Sequence, residues 1–451
     1  MDYENPQFNF ATGTQKVSST ANWNGQLGFF GRVNYAFDSK YLLEANLRYD
    51  GTSVFPEHLR WRWFPSFSGG WIMSSEKFMK PIESVLSFAK IRTSWGGSIG
   101  DQSVSNSLYV PTLATVEKTT WLGSDGVTMS YRPPAAVSQD ITWQRIETLD
   151  IGADFRFWKD RVGLSVDWFQ RDTKNMIIAG DALPETFGVA VPQGNYGDLR
   201  TKGWEISLDF NHRFSNGLSI NGLVTFADAV THVTRGADQN TAWENRLISN
   251  GWATGARYGD VWGGYRTDRL YQEEDFVRGA DGNLQKVTII IDGTSKRSYM
   301  LAGDNPVYQT YFEDGGGVVI FRPGDVKFVD LNGDGYITPG KGTFGDPGDR
   351  EVIGNTTPRY EYGFRLGADY KGFDASIFFQ GIGKRSMWGE LASWQYRDSV
   401  LPTEQYRKRS PETTGVPTVP MLSIHVHGTT EEAIQTTAFR YKAAICWICL
   451  I

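Results

Sequence analysis

Residues 26–50 read QLGFFGRVNYAFDSKYLLEANLRYD, and two alternating runs in this stretch flank the short connector 38–40. After the connector, alternate positions carry apolar side chains: Leu43, Ala45, Leu47 and Tyr49. In an extended chain these residues share one face, and the charged residues between them share the other. Soluble β-sandwiches contain such strands, and so do transmembrane β-barrels, whose strands turn apolar residues to lipid and polar residues to the lumen. The stretch predicts an antiparallel β-protein and leaves both architectures open.

The composition excludes some classes of protein. The chain has 451 residues, of which 40% are hydrophobic and 14% aromatic, with 16 Trp and 50 Gly. No apolar run approaches the roughly 18 residues of a helical membrane span, but the alternation of barrel strands escapes that test. The formal net charge is −6 and the basic residues are scattered, so nucleic acid is not an expected partner.

The two ends of the chain differ from the rest. Residues 1–15 lack the charged and apolar regions of a signal peptide, so the chain is expected to be cytosolic or an incomplete precursor. Both cysteines, Cys446 and Cys449, lie in the closing stretch ICWICLI, which has neither alternation nor a turn. We interpret 445–451 as an aberrant tail that follows a frame change or assembly break. A disulfide framework or zinc site is not expected.

The lengths of the connectors between predicted strands decide between the two architectures. Tight connectors are predicted at 38–40, 159–160, 215–217 and 371–372. Long connectors are predicted at 97–146, 172–202, 229–360 and 382–436. A shorter one at 51–64 and another at 74–87, with a possible helix at 82–86, complete the series. Every second connection is short, as in transmembrane barrels with tight periplasmic turns and long external loops. A soluble sandwich has no reason to keep this order, so the pattern favours the barrel.

Eight segments then resemble, in order, the SusC/RagA-type TonB-linked outer-membrane transporters of Bacteroidetes. They are FFGRVNYAFDSKYLLEANLRYDGTSVF, WFPSFSGGWIMSSEKFM, KIRTSWGGSIGDQ, ITWQRIETLDIGADFRFWKDRVGLSVDWFQRDTKNMI, TKGWEISLDF, GDVKFVDLNGDGYI, DREVIGNTTPRYEYGF and YKGFDASIFFQGIG. The resemblance implies an all-β, antiparallel transmembrane barrel, of which this chain would be a portion. Such transporters have about 22 strands around an N-terminal plug. The resemblance would place the plug upstream of Met1.

The resemblance also implies a division of the chain and a function. Residues 1–24 would be an N-terminal extension or a preceding external loop, 25–444 a partial barrel, and 445–451 the tail. The expected function is TonB-dependent import of glycans, or of peptides, across the cell outer membrane, and the chain alone is expected to be inactive. Expected partners are outer-membrane lipid, a SusD-like surface lipoprotein, the TonB complex through the plug, and an oligosaccharide or peptide ligand. A soluble extracellular glycan-binding β-protein with a calcium-stabilised loop is the alternative.

One segment matches the first half of a calcium-binding loop. The spacing of its oxygen-bearing residues predicts a ligand set completed by a later aspartate: Asp330, Asn332, Asp334, Tyr336 through its carbonyl, and Asp349. The bidentate glutamate of such loops is replaced by Lys341, and Asp346 is a second candidate to close the shell. Because Asx residues build turns unaided, a loop without an ion is the alternative.

Aromatic residues in the long connectors are candidates for substrate contact. They are Trp243, Trp252, Trp262, Tyr265 and Trp388. Their rings could stack on sugars, or they could anchor the barrel at the membrane interface and pack within the loops. His425 and His427 are two residues apart, but a third metal ligand is missing nearby. The sequence contains no catalytic motif, and an enzyme is not expected.

Overall fold

The computed structural model describes residues 24–99, 108–111, 115–123, 126–131, 134, 136–181, 184–262, 264–291, 293–309, 313–314, 317–318, 320–388, 438–440 and 444–450. Its main element is an 11-stranded antiparallel sheet in which neighbouring strands follow one another along the chain. The strands are β1 Gln26–Phe37, β2 Tyr41–Thr52, β3 Trp61–Ile72, β4 Leu86–Ile99, β5 Arg145–Phe157, β6 Val162–Ala179, β7 Gln193–Arg213, β8 Ser219–Arg235, β9 Arg359–Tyr370, β10 Phe373–Lys384 and β11 Ala444–Leu450. The prediction of an all-β antiparallel architecture is confirmed.

One face of this sheet is apolar from strand to strand. The register places Val33 opposite Ala45, Ala45 opposite Phe67, and Phe67 opposite Trp95. Leu43 lies on the same face and is 58% exposed. A row of exposed apolar side chains that runs across many strands suits contact with lipid. We call it the outer face.

The opposite face carries mostly polar or small side chains, and we call it the inner face. In β2 it carries Glu44 and Asn46, which are joined by a hydrogen bond of 2.8 Å. Further along the sheet, Ser165 lies opposite Ser207, and Asp167 lies opposite Glu205. Since side chains alternate along a strand, one continuous register gives the whole sheet its two faces.

Tight turns join the strands at one end of the sheet. Asp38 and Ser39 adopt positive φ angles of 50° and 51°, as both central residues of a type I′ hairpin turn do. Gly372 has φ 89° in the turn between β9 and β10. Two 3₁₀ turns, Met73–Ser75 and Lys77–Ile82, form the connection to β4 and take the place of the helix predicted at 82–86. The remaining connections leave from the opposite end, which we call the loop end.

Three strands run further towards the loop end than their apolar pattern predicts, and one of them, β8, continues to Arg235 although a connector was predicted from 229. Strands β6 and β7 continue to the pair Ala179 and Gln193, so the loop between them is 180–192 and not 172–202. The apolar alternation stops at Trp168 and Trp204, which lie opposite each other. Beyond them the backbone ladder continues with charged side chains, which a hydropathy pattern scores as loop.

The longest connection, residues 236–358, has a small core of its own. Val326, Phe328 and Ile337 are buried there, and Tyr265, Val307 and Phe321 pack against them. Short strand pairs support this core: Asp260–Val261 with Gly354–Asn355, Gly264–Tyr265 with Arg350–Glu351, Thr267–Leu270 with Val326–Phe328, Lys286–Ile291 with Thr294–Tyr299, and Tyr308–Gln309 with Tyr336–Ile337. We call residues 236–358 the long loop.

Other short elements complete the described residues. Strand pairs join Thr115–Gly123 with Gly126–Tyr131, Glu313–Asp314 with Gly317–Val318, and Ser386–Trp388 with Ala438–Arg440. Further 3₁₀ turns are Glu57–Leu59, Glu185–Phe187, Trp243–Asn245 and Glu273–Asp275. In the described part of the chain, no helix combines the length and apolar character that a membrane crossing requires.

A second buried cluster closes the loop end over strands β2 and β3. Val54, Phe55 and Phe64 pack there with Ile141 and Trp143. The indole nitrogen of Trp143 donates a hydrogen bond of 2.9 Å to the carbonyl oxygen of Arg60. The cluster therefore holds the connection after β2 and the chain before β5 against each other.

The closing residues form a strand, although their sequence lacks alternation. β11 pairs with β10 from Gly381 opposite Ala444 to Ala375 opposite Leu450. Backbone pairing needs only a free strand edge and an extended segment, so it does not depend on side-chain alternation. The origin of this tail in a frame change stays a prediction. The predicted extension 1–24, except residue 24, and the histidines His425 and His427 lie outside the described residues.

Candidate functional site

The outer face changes character sharply near the loop end. Trp168 pairs with Trp204, the rings of Trp204 and Phe226 are 5.2 Å apart, and Phe226 stacks at 6.4 Å on Tyr360. Trp168 is 40% exposed. Aromatic rings in such a row are typical of the boundary between hydrocarbon and headgroups in an outer-membrane barrel.

Charged pairs follow directly beyond this aromatic row. On the outer face they are Lys174 with Glu147 at 2.6 Å, Arg200 with Asp172 at 2.6 Å, Arg235 with Asp198 at 2.8 Å, and Arg359 with Asp228. Each pair joins neighbouring strands, so the strands are held together where apolar contacts have ended. We call these residues the charged ladder.

A cavity of about 380 Å³ opens where the charged ladder meets the long loop. It is lined by Asp172, Lys174, Asp198, Leu199, Arg200, Thr234, Arg235, Gln239, Arg246 and Thr254. Arg246 donates a hydrogen bond to the carbonyl oxygen of Thr254 and pairs with Asp238 at 3.3 Å. Nine of its ten lining residues are polar, and these include four cationic and two carboxylate side chains. The sequence reasoning missed this cavity, because it assigned 172–202 to a loop.

The inner face carries a separate charged cluster centred on Arg92. Its guanidinium pairs with Asp150 at 3.2 Å, Asp154 at 3.1 Å and Asp167 at 2.6 Å, and Ser165 donates a hydrogen bond of 2.7 Å to Asp154. These residues come from β4, β5 and β6. Each occupies a polar position of an alternating run, but only the register of three strands brings them together. The arrangement gives the inner face a hydrophilic surface suited to polar solutes.

The predicted calcium loop folds as a series of side-chain-capped turns. Asp330 accepts hydrogen bonds from the backbone N–H groups of Gly333 at 2.6 Å and Gly335 at 2.8 Å. Asp334 accepts one from the N–H of Tyr336 at 2.8 Å. The two glycines have φ angles of 77° and 84°, which side chains rarely adopt. The loop thus closes on its own backbone.

Asp349 joins this loop from a distant part of the sequence. Its side chain is fully buried, and its two oxygens accept hydrogen bonds from the N–H groups of Leu331 at 2.8 Å and Thr338 at 2.7 Å. Burial raises the pKa of this carboxyl group. The sequence predicted Asp349 and Asp330 as ligands of one calcium ion, and in the structure the oxygens of Asp349 hold backbone amides on both sides of the loop.

The described residues contain no group of three His, Cys, Asp or Glu side chains arranged to hold a metal ion. A carboxylate oxygen has two lone pairs, so a hydrogen bond does not by itself exclude an ion. Lys341, which replaces the expected glutamate, is 3.9 Å from Asp346. Calcium binding by this loop therefore stays a prediction.

Four of the five predicted substrate-contacting aromatics have described side chains, and the ring contacts of these four fall into separate groups. Trp243 stacks on Phe344 at 4.0 Å and Trp262 meets the same ring edge-on at 5.5 Å, so these two are brought together. The ring centroids of Trp252 and Tyr258 are 6.0 Å apart, and the Trp252 ring lies near Gly197.

Tyr265 packs 5.5 Å from Phe328, and burial raises the pKa of its hydroxyl group. It therefore contributes to the small core of the long loop. The side chain of Trp388 lies outside the described residues. Whether any of the five binds substrate stays a prediction.

Comparison with known proteins identifies a single family. A family model described as "TonB dependent receptor-like, beta-barrel" matches residues 1–420. TonB-dependent receptor P3 of Formosa agariphila is 26% identical over 392 residues, covering 84% of this chain and 34% of that protein. TonB-dependent receptor SusC of Bacteroides thetaiotaomicron is 26% identical over 364 residues, covering 80% of this chain and 32% of that protein. The chain spans about a third of the length of these relatives.

Solved structures agree in fold. The RagAB peptide transporter matches 81% of this chain and 34% of its own, with a TM-score of 0.56 and 18% identity. The RagAB peptide importer in its "open-open" state covers 84% of this chain and 35% of its own, with a TM-score of 0.57 and 18% identity. At this identity the likeness concerns the fold alone.

Proposed function

We propose, because this chain belongs to the TonB-dependent receptor-like β-barrel family, that it forms part of the wall of an importer for oligomeric nutrients. The family consists of outer-membrane receptors and transporters, and its members compared above are receptors and not enzymes. The chain is accordingly an outer-membrane protein, which removes the soluble glycan-binding alternative.

The observation that carries the proposal is the two-faced sheet. Its outer face is a continuous exposed apolar surface that ends in an aromatic row, and its inner face is polar from Glu44 to the cluster around Arg92. A wall of this kind separates lipid from a hydrophilic passage. The passage is where the substrate of an importer would travel.

Oligosaccharides are the substrate class that we propose, with peptides as the second candidate. Trp243 is 43% exposed and shares the ring of Phe344 with Trp262, which gives an aromatic surface in the long loop. Such surfaces recognise the apolar C–H patches of sugars. The peptide alternative rests on the structural neighbour RagAB, which is a peptide transporter.

The proposed partners follow from the family and from the open sheet. A SusD-like surface lipoprotein would meet the loop end, and a TonB complex would act through a plug domain contributed by chain outside this sequence. The outer-membrane lipid would contact the outer face. In the described residues β1 pairs with β2 alone. We therefore expect this chain alone to give no conductance in liposomes, and stable channels formed by it alone would contradict this expectation.

Calcium is a further part of the proposal. Asp330, Asn332, Asp334, the carbonyl of Tyr336 and Asp349 would hold the ion and supply a rigid support for the long loop. Each carboxylate oxygen of Asp349 accepts one backbone hydrogen bond and has a second lone pair for an ion. Calorimetry with millimolar calcium is expected to show binding that Asp330→Asn removes, and the absence of heat with the unsubstituted protein would exclude the site.

Uptake by cells tests the function. Deletion of the gene for the importer whose wall this chain would form should abolish uptake of one class of oligosaccharide, and an uncoupler of the proton gradient should do the same to unmodified cells. Complementation with Trp243→Ala should restore outer-membrane protein but lower uptake several-fold. Trp158→Ala, which alters an exposed Trp at the turn end, should transport normally. Unchanged uptake after deletion would refute the import proposal.

A further inference from the structure

The register shows which side of the wall the charged ladder faces. From Trp168 opposite Trp204, the next rungs on the same face are Gln170 opposite Lys202 and Asp172 opposite Arg200. No irregularity interrupts these rungs, since the first register shift in this pair of strands follows Thr173. Lys202 and Arg200 therefore continue the lipid-facing surface and do not face the passage.

The height of these residues above the aromatic row follows from strand geometry. Arg200 is four residues beyond Trp204, which is about 13 Å along a strand at roughly 3.3 Å per residue. For a strand tilted by about 40°, this corresponds to about 10 Å along the membrane normal. The headgroup layer is roughly 5–8 Å thick on each side of the hydrocarbon. The backbone of Lys202, at about 5 Å, lies within that layer, and the backbone of Arg200 lies about 2–5 Å beyond it.

The cations at this level keep hydrogen-bond donors available. Arg200 binds Asp172 through Nε and Nη2, at 2.6 and 3.3 Å, and Arg235 binds Asp198 through the same two nitrogens. Among the described residues no acceptor bonds to Nη1 of either arginine. Lys202 is exposed and forms no ion pair with a described residue. A carboxylate thus holds the Nε–Nη2 edge of each guanidinium group, and the Nη1 donors remain available to a ligand.

We propose that the cavity at the charged ladder, together with Lys202, binds the phosphate group of an anionic lipid headgroup in the outer leaflet. Guanidinium groups recognise phosphate through paired N–H donors, and cations beside a membrane-spanning surface recognise anionic headgroups. The cavity adjoins the lipid-facing surface, so the acyl chains of the same lipid would cover the apolar wall below it. A soluble substrate in the passage would meet the opposite face of these strands.

Each of the four lining cations is paired with a carboxylate, so the cation without a carboxylate partner among the described residues is Lys202, and its charge gives the site the right sign for phosphate. The partners of Lys174 and Arg246, Glu147 and Asp238, do not line the cavity. Only one lining side chain, that of Leu199, is aliphatic, so the cavity suits a headgroup and not an acyl chain. The proposal concerns lipid and is independent of which nutrient is imported.

Binding of lipid A to the protein purified in detergent tests the proposal. Native mass spectrometry should detect bound lipid A that carries its phosphates and at least about tenfold less of its dephosphorylated form. Substituting both Arg200→Gln and Lys202→Gln should weaken binding by about tenfold or more. Arg269→Gln is the matched control, because Arg269 also holds a carboxylate bidentately, that of Asp275, at similar exposure but away from the cavity.

A second variant covers the case in which the double substitution fails to fold. Asp172→Asn keeps the shape of the ladder but releases Arg200 from its carboxylate, so phosphate binding should tighten. Equal binding of phosphorylated and dephosphorylated lipid A, or binding that neither variant changes, would overturn the proposal. Displacement of the lipid by equimolar inorganic phosphate or by a soluble acidic oligosaccharide would also overturn it, since the site would then be one for free anions.

Discussion

Removal of the buried carboxylate of Asp349 should open the loop 330–338 while leaving the sheet intact. The side chain is fully buried and accepts two backbone hydrogen bonds, of 2.8 and 2.7 Å. Hydrogen bonds to a charged group contribute about 1.5–3 kcal/mol each, so Asp349→Ala should destabilise the loop by about 3–6 kcal/mol. Asp349→Asn keeps one accepting oxygen but turns an amide N–H₂ towards a backbone donor, for a loss of about 2–3 kcal/mol.

Hydrogen–deuterium exchange measures this local opening directly. A loss of 3 kcal/mol corresponds to exchange about a hundredfold faster at the amides of Leu331 and Thr338. Asp281→Asn is the matched control, because Asp281 caps an exposed turn through the N–H of Asn283 at 3.1 Å. In the control, the exchange rate of the capped amide should change by less than tenfold, since water can take the place of an exposed capping group. Unchanged protection of Leu331 and Thr338 in Asp349→Ala would refute the reasoning.

Three further predictions concern the wall and the long loop. Val166→Lys on the outer face should destabilise the protein in lipid by about 2–4 kcal/mol in denaturant titrations. Ser207→Lys on the inner face should destabilise it by less than about 1 kcal/mol. Equal effects of the two substitutions would contradict the face assignment. Arg92→Gln leaves three aspartates together on the inner face and should lower the free energy of unfolding by about 1–3 kcal/mol. Part of this loss should be recovered at low pH, where the aspartates become protonated. A melting temperature unchanged at neutral pH would refute the role of the cluster. The ion pair with Arg269 lowers the pKa of Asp275 to about 2, below its ordinary 3.8, so its contribution is present above about pH 4 and is lost as the pH falls towards 2. Exchange of the amides at 272–276 should therefore accelerate over that pH window, and Asp275→Asn should remove the pH dependence.

The alternation of side chains was enough to predict the sheet and its two faces. Leu43 and Leu47 were predicted to face lipid, and the register places both on the exposed apolar face, at 58% and 45% exposure. The tight turn at 38–40 was also predictable. Both central residues of such a short hairpin loop adopt positive φ, and only a small set of residue types favours that conformation. These features depend on neighbours in sequence or on one adjacent strand.

Features that depend on several strands were beyond the sequence. Arg92 and Asp167 are 75 residues apart, and nothing in their local patterns pairs them. Tyr265 was predicted to contact substrate, but its packing on Phe328 depends on the fold of the whole long loop. Asp349 was predicted as a calcium ligand together with Asp330, and its hydrogen bonds to two backbone amides were not foreseen.

The error at 172–202 shows why hydropathy underestimates the strands of a membrane barrel. A strand continues as long as its backbone is paired, but its apolar pattern lasts only as long as the hydrocarbon does. In β6 and β7 the pattern ends at Trp168 and Trp204, and the ladder continues through Asp172 and Arg200 to Ala179 and Gln193. The point where side chains change from aromatic to charged on one uninterrupted face therefore marks the membrane surface. Residues beyond it can recognise headgroups, because the same strands that cross the membrane carry them there.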